Sequence, residues 1–221
     1  YISGHQDLKG WNGLGIAVQA YQKRSPLLID DLIKMARKDQ RRLCIRLVKG
    51  AYWDSEIKRA QEKGLKGYSV FTRKVFTDVS YQVCAQKMLA APDAIYPQFA
   101  THNARTVATI LELTKTTDEF EFQRLHGMGE SLFRQIIKRK SPTIPCRVYA
   151  PVGEYQDLLA YLVRRLLENG ANTSFVHKIY NPSVPIETLV ADPVEEARAL
   201  DVISHPHIPL PVDLLQPQRQ N

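Results

Sequence analysis

Long apolar runs are absent from this chain: no stretch approaches the roughly 20 residues of a membrane-spanning helix, and no leader-like segment opens it. Cysteine is scarce. Cys44, Cys84 and Cys146 are the only three, too few and too far apart for a disulfide framework, so they read as small buried hydrophobes in a reducing compartment. Low-complexity tracts are also missing, while 44% of the 221 residues are hydrophobic and 24% are charged. That balance excludes wholesale disorder and is enough for one sizeable core. The dinucleotide fingerprint Gly-x-Gly-x-x-Gly does not occur. Gly13 and Gly15 stand just before and at the start of their strand instead of following it, which removes a Rossmann reading. No Ser/His/Asp order and no metal-ligand cluster stand out; His205 and His207 flank a proline and have no third ligand nearby. An initiator methionine is lacking as well, since the chain opens at Tyr1, and a piece of a longer polypeptide is the expectation.

Positive charge is in excess: 30 Lys+Arg against 23 Asp+Glu give a net charge of +7. Nucleic acid, anionic membranes and anionic ligands all attract such a chain. The cations are nevertheless scattered. Their densest groups, Arg37–Arg42 and Lys138–Lys140, adjoin predicted helix ends, where they complement the helix dipole without any partner. No nucleic acid is expected to bind through this region.

Strand-like runs recur at Gly15–Ala20, Leu43–Val48, Ile95–Ala100, Glu121–Leu125 and Cys146–Ala150. Helical patterns lie between and after them, at Leu27–Lys38, Ser55–Glu62, Thr72–Leu89, Ala104–Thr114, Glu130–Lys140 and Glu154–Asn169. Strand followed by helix, repeated along the chain, is the mark of a parallel α/β architecture with right-handed crossovers. A barrel is favoured over an open sheet because polar residues recur where strands end: Gln19, Arg46 and Lys49, His102 and Asn103, His126, and Tyr149. Five strands do not close an eight-stranded barrel, so three more are expected upstream. After Tyr180 the texture becomes proline-punctuated, with one short helical pattern near Pro193–Leu200. This divides the chain into a partial barrel (1–180) and a linker (181–221).

Two stretches carry most of the chemistry. Arg46–Glu56 runs an apolar strand into a charged, aromatic turn containing glycine. Tyr161–Phe175 places Tyr161, Arg164, Arg165 and Glu168 at i, i+3, i+4 and i+7, one stripe of a helix, with Leu159, Leu162, Val163 and Leu166 on the side that would anchor it to a core. Paired arginines suit a carboxylate held bidentately, although Arg164 and Glu168 also make an ordinary solvated i, i+4 pair. Lys49 can be a Schiff-base nucleophile, which would make the chain a lyase, or it can neutralise a phosphate or carboxylate. Thr72-Arg-Lys74 at a helix start and the glycines of His126-Gly-Met-Gly-Glu130 are phosphate cues. His102 beside Asn103 is a general base or a histidine satisfied by hydrogen bonds at a strand end.

Four segments, Arg46-Leu-Val-Lys-Gly-Ala-Tyr-Trp53, Tyr96-Pro-Gln-Phe-Ala-Thr-His-Asn103, Leu125-His-Gly-Met-Gly-Glu130 and Tyr161–Phe175, closely resemble the proline dehydrogenase domain of bacterial bifunctional proline-utilisation flavoproteins. The resemblance covers about residues 11–180. It implies the C-terminal portion of a distorted (β/α)8 barrel that binds FAD and oxidises L-proline to pyrroline-5-carboxylate by hydride transfer to flavin N5. It further implies electrons passed to a membrane quinone, a cytoplasmic protein peripheral at the inner face of the bacterial membrane, and a homo-oligomer at full length. By the same resemblance Arg164 and Arg165 clamp the proline carboxylate, Tyr149, Tyr161 and Leu47 line its pocket, and Glu168 holds the arginines. Arg46 lies beside the flavin ring, which Gln19 and the Val48, Gly50, Ala51, Tyr52, Trp53 turn also contact. Thr72, Arg73, Lys74 and Thr77 take the diphosphate and ribitol, and His102, Asn103, Glu168, Ser174 and Phe175 surround the rest. No metal is implied. The tail from His205 to Pro211 resembles the lead into that family's aldehyde dehydrogenase module, to which NAD alone belongs. The family's earlier strands, with a lysine and an aspartate of the active site, are not among these residues, so the isolated piece is expected to be inactive.

Overall fold

The computed structural model describes residues 5–114, 119–139, 144–170, 181 and 183–214. Strands β1 (Gly15–Gln19), β2 (Leu43–Val48), β3 (Ile95–Ala100), β4 (Glu121–Leu125) and β5 (Cys146–Tyr149) form one sheet in sequential order. Pairing is parallel, with Arg46 opposite Ala17 and Leu125 opposite Tyr149. Sequential parallel neighbours joined through helices are the connection pattern of a (β/α) barrel, and among the described residues β1 and β5 are the end strands of this five-stranded order. By compactness the chain divides into two units, Tyr1–Pro97 with Asp192–Asn221, and Gln98–Ala191.

In the first unit, helix α1 (Ser25–Lys38) takes Pro26 in its first turn, where no amide hydrogen is needed, and ends on Arg37 and Lys38. It buries Ile29, Leu32, Ile33 and Ala36, a single stripe at i, i+3, i+4 and i+7. Strand β2 alternates, burying Leu43, Ile45 and Leu47 and leaving Cys44, Arg46 and Val48 half-buried on the other face. After α2 (Trp53–Glu62), helix α3 (Lys74–Leu89) buries Thr77, Ser80, Tyr81, Cys84, Ala85 and Met88. A satellite cluster of Tyr21, Ile57, Ala60, Tyr68 and Val70 receives Trp53 and Ile208.

The core of the second unit is aromatic. Phe99, Phe120, Phe122 and Phe133 are almost fully buried, with ring centroids 5.4–6.3 Å apart, mostly edge-on or tilted. Helices α4 (Ala104–Leu113), α5 (Glu130–Arg139), α6 (Tyr155–Gly170) and the short α7 (Ile186–Val190) complete it. α7 lies in the proline-punctuated tract and had no counterpart in the sequence pattern. The expected helix near 193–200 is α8 (Pro193–Arg198), with Asp192 accepting from Val194 N.

One expectation is reversed. Leu159, Leu162 and Val163 do not anchor α6 in a core: they are 44%, 46% and 43% exposed, while Tyr161, Arg164 and Arg165 are the less exposed side. The physical reason is position. α6 follows β5, an edge strand, where the sheet offers a neighbour on one side alone.

Candidate active site

The first unit carries most of the predicted cofactor residues. Arg46 stands on the face of β2 away from the core, whereas Leu47, one residue on, is fully buried with Leu43 and Ile45. Beyond β2 the chain turns at Gly50, whose φ is +139°; a Cβ there would lie 2.5 Å from the Tyr21 ring, so only glycine fits. Ala51 N donates to Gln19 Oε1 at 3.3 Å, tying the Val48–Trp53 turn to the end of β1. Trp53 Nε1 donates to Phe71 O at 2.8 Å. Tyr52 remains 46% exposed.

Lys49 makes an ion pair with Asp78 of α3, and Lys74 binds the other oxygen of that carboxylate at 2.7 Å. Burial pushes the Asp78 carboxyl up, but the two ammonium groups outweigh it and hold it below its ordinary 3.8. A carboxylate against Lys49 engages its ammonium group in an ion pair. A Schiff-base nucleophile needs that amine unprotonated, so the pair counts against the lyase reading. Asp78 was missed in the sequence; its i, i+4 spacing from Lys74 was the available signal.

Thr72 and Arg73 lead directly into α3. That helix has no side-chain N-cap and no acidic residue in its first turn. An uncapped, acid-free N-terminus with a hydroxyl and one cation in front of it, and a second cation at its first residue, suits an anion. Thr77, one turn in, is 8% exposed.

In the second unit His102 accepts from Leu125 N on Nε2 at 3.0 Å. This favours the hydrogen-bonded strand-end reading over the general base. Asn103 caps α4 by accepting from Thr106 N at 3.1 Å. Gly129 has φ +66°, and a Cβ there would stand 3.2 Å from the His102 ring, so the glycine both turns the chain and makes room for the imidazole. Tyr149 ends β5, where its carbonyl accepts from His126 N at 2.8 Å.

Two residues before Tyr149, Arg147 grips Glu121 with both Nε (3.0 Å) and Nη2 (2.9 Å). Gln98 (3.0 Å) and Gln123 (2.7 Å) donate to the same carboxylate. Its burial opposes ionisation, but Arg147 and the glutamines hold Glu121 below the usual glutamate range. Sequence reasoning missed this brace too, although the period-2 spacing of Glu121 and Gln123 marks them as one face of β4. On α6 the Arg165 guanidinium lies 5.5 Å from the Tyr161 ring centroid, with half-buried Arg164 beside it. The Glu168 side chain, Ser174 and Phe175 lie outside the described residues. Among the described residues no group of three His, Cys, Asp or Glu could hold a metal, and no helix is long and apolar enough to cross a membrane.

The proline dehydrogenase family profile matches residues 1–178. The chain belongs to the proline dehydrogenase family. Its curated relatives include the bifunctional protein PutA of Salmonella typhimurium, 58% identical over 97% of this chain and 17% of that protein's length. PutA of Rhizobium meliloti is 53% identical over 97% of this chain and 18% of its own length. A proline dehydrogenase of Bacillus subtilis, named proline dehydrogenase 2, is 32% identical over 77% of this chain and 50% of its own length. Among solved structures, a Bradyrhizobium japonicum PutA variant superposes with a TM-score of 0.90 at 56% identity, over 97% of this chain and 22% of that one. This proline dehydrogenase family segment therefore spans about one sixth of the Salmonella PutA, a bifunctional relative. All four sequence motifs, at 46–53, 96–103, 125–130 and 161–175, fall within the matched residues.

Proposed function

We propose that the chain is part of an FAD-dependent proline dehydrogenase, acting on L-proline within a larger bifunctional polypeptide. The observation that carries the reading is the Tyr161–Arg164–Arg165 face of α6 in a chain of the proline dehydrogenase family. Proline offers a carboxylate and an apolar ring, and paired guanidinium groups with tyrosine walls are the matching handles. Arg164 and Arg165 hold the carboxylate, Glu168 fixes the arginines, and Tyr149 and Tyr161 bound the ring.

The residues of the first unit fit FAD in their donor chemistry. The diphosphate falls to Thr72, Arg73 and Lys74 at the acid-free start of α3, with Thr77 behind them. Gln19, Arg46 and the turn of Val48, Gly50, Ala51, Tyr52 and Trp53 take the ring, and His102, Asn103, Ser174 and Phe175 the remainder. FAD, when bound, would supply the redox chemistry as the hydride acceptor for proline. Arg46 places positive charge where electron density arrives, and rigid strand-end groups hold the substrate in near-attack contact. Electrons leave to a quinone, on a cytoplasmic, homo-oligomeric protein that is peripheral at the membrane.

The test is an anaerobic visible spectrum of the full-length protein before and after L-proline. A flavin band that bleaches with proline, and not with hydroxy acids or aldehydes, supports the reading. A colourless protein despite added FAD overturns it.

A further inference from the structure

Residues 192–214 return to the first unit, and part of this segment fastens on the stretch that leads into α3. Arg73 Nε donates to Ser204 O at 3.1 Å, and His205 N donates to Thr72 Oγ1 at 2.9 Å. Further along, Tyr68 OH donates to Pro209 O at 2.9 Å while accepting from Gln61 Nε2 at 3.1 Å. Ile208 packs on the Tyr21, Ile57, Ala60, Tyr68, Val70 cluster. The segment is internally tied, with Ile208 N donating to His205 O at 3.1 Å and His207 N to His205 Nδ1 at 3.2 Å. The partners are 131–141 residues apart in sequence.

The polarity of these bonds matters more than their number. A threonine hydroxyl has one hydrogen to give and two lone pairs to receive. Because the His205 N–H occupies a lone pair of Thr72, the hydroxyl hydrogen is directed away from the segment, as a donor. An arginine has five N–H donors in one plane. Anchoring Nε on the Ser204 carbonyl fixes that plane and presents the terminal nitrogens as a fork. Both side chains stand immediately before the uncapped, acid-free turn of α3.

We infer that Ser204–Pro209 is a positioning strap for the cofactor: it sets Thr72 and Arg73 as aligned donors to the diphosphate of FAD, so strap docking and FAD binding reinforce each other. This rests on the FAD reading above. Coupling between two binding events is reciprocal, so FAD must tighten the strap as the strap tightens FAD.

The test uses the full-length flavoprotein, stripped of FAD and titrated with it by flavin fluorescence, alongside amide hydrogen exchange. His205→Pro removes the donor to Thr72, Tyr68→Phe removes the Pro209 anchor while keeping the ring in its cluster, and Thr72→Val removes the hydroxyl isosterically. His205→Pro is expected to weaken FAD about tenfold and Tyr68→Phe about threefold, the range of one ordinary neutral hydrogen bond. In the Thr72→Val background, His205→Pro should add less than about twofold, because it acts through that hydroxyl. Exchange at 204–209 should slow when FAD binds. Wild-type FAD affinity in the folded variants, additive losses, or exchange at 204–209 indifferent to FAD would each overturn the strap. If His205→Pro does not fold, Tyr68→Phe and the exchange data decide. Wild-type protein that takes up no FAD removes the cofactor reading and the strap with it.

Discussion

Arg165 is engaged from one side by the Tyr161 ring, 5.5 Å away, which holds its guanidinium plane in place. On the proposed reading it grips the substrate carboxylate. Arg165→Met in the full-length enzyme should therefore raise the Michaelis constant for proline roughly thirty- to a thousand-fold, the ~2–4 kcal/mol of a charge-assisted contact, with flavin content near normal. Steady-state kinetics with a flavin absorbance ratio would show it, and an unchanged constant would remove Arg165 from the clamp. Asp78 makes a different kind of prediction. Its pKa is depressed in the fold by Lys49 and Lys74, so its contribution to stability is present above the ordinary carboxylate value of 3.8 and is lost as pH falls through the lower folded value. Asp78→Asn should cost roughly 1–3 kcal/mol at neutral pH, leaving Lys49 without this counter-charge, and the gap to wild type should narrow below about pH 4. Thermal melting of both proteins between pH 3 and 7 checks the sign; a gap that widens on acidification would contradict it.

At the scale of elements, the sequence pattern located every strand within one residue of its observed end and most helices within two. Alternation and the 3.6-residue stripe are local properties, so β2 and α1 declare themselves. The failures came where local pattern is silent. The apolar side of α6 was read as core because periodicity identifies a face without saying what covers it. The brace between β4 and β5 was overlooked because Glu121 and Arg147 are 26 residues apart. Glu121 is almost fully buried, and Glu121→Gln would remove the charge from Arg147's bidentate contact. The expected loss is ~1–3 kcal/mol, with a several-fold rise in the proline Michaelis constant through displacement of Tyr149 two residues along β5. A normal melting temperature in this variant would show that the brace does not hold β5.

At the scale of the whole molecule, the described residues form a sheet of five strands in sequence order, with β1 and β5 as its end strands. Ile16 on β1 and Val148 on β5 are 45% and 46% exposed, apolar surface that a closed barrel wall would cover. The 221-residue segment expressed by itself should retain far less than stoichiometric FAD and show no proline-dependent bleaching; gel filtration with in-line absorbance at the flavin band would reveal either. Stoichiometric FAD with turnover would show that these five strands suffice. The amino-acid sequence by itself determined the α/β class, the strand and helix positions and the family motifs, because each rests on spacing within a few residues. Only the tertiary structure decided that Lys49 answers to Asp78, that Glu121 braces Arg147, and that the 204–209 segment fastens on Tyr68, Thr72 and Arg73. Those pairings depend on which surfaces packing brings together across long stretches of chain, and no local pattern encodes them.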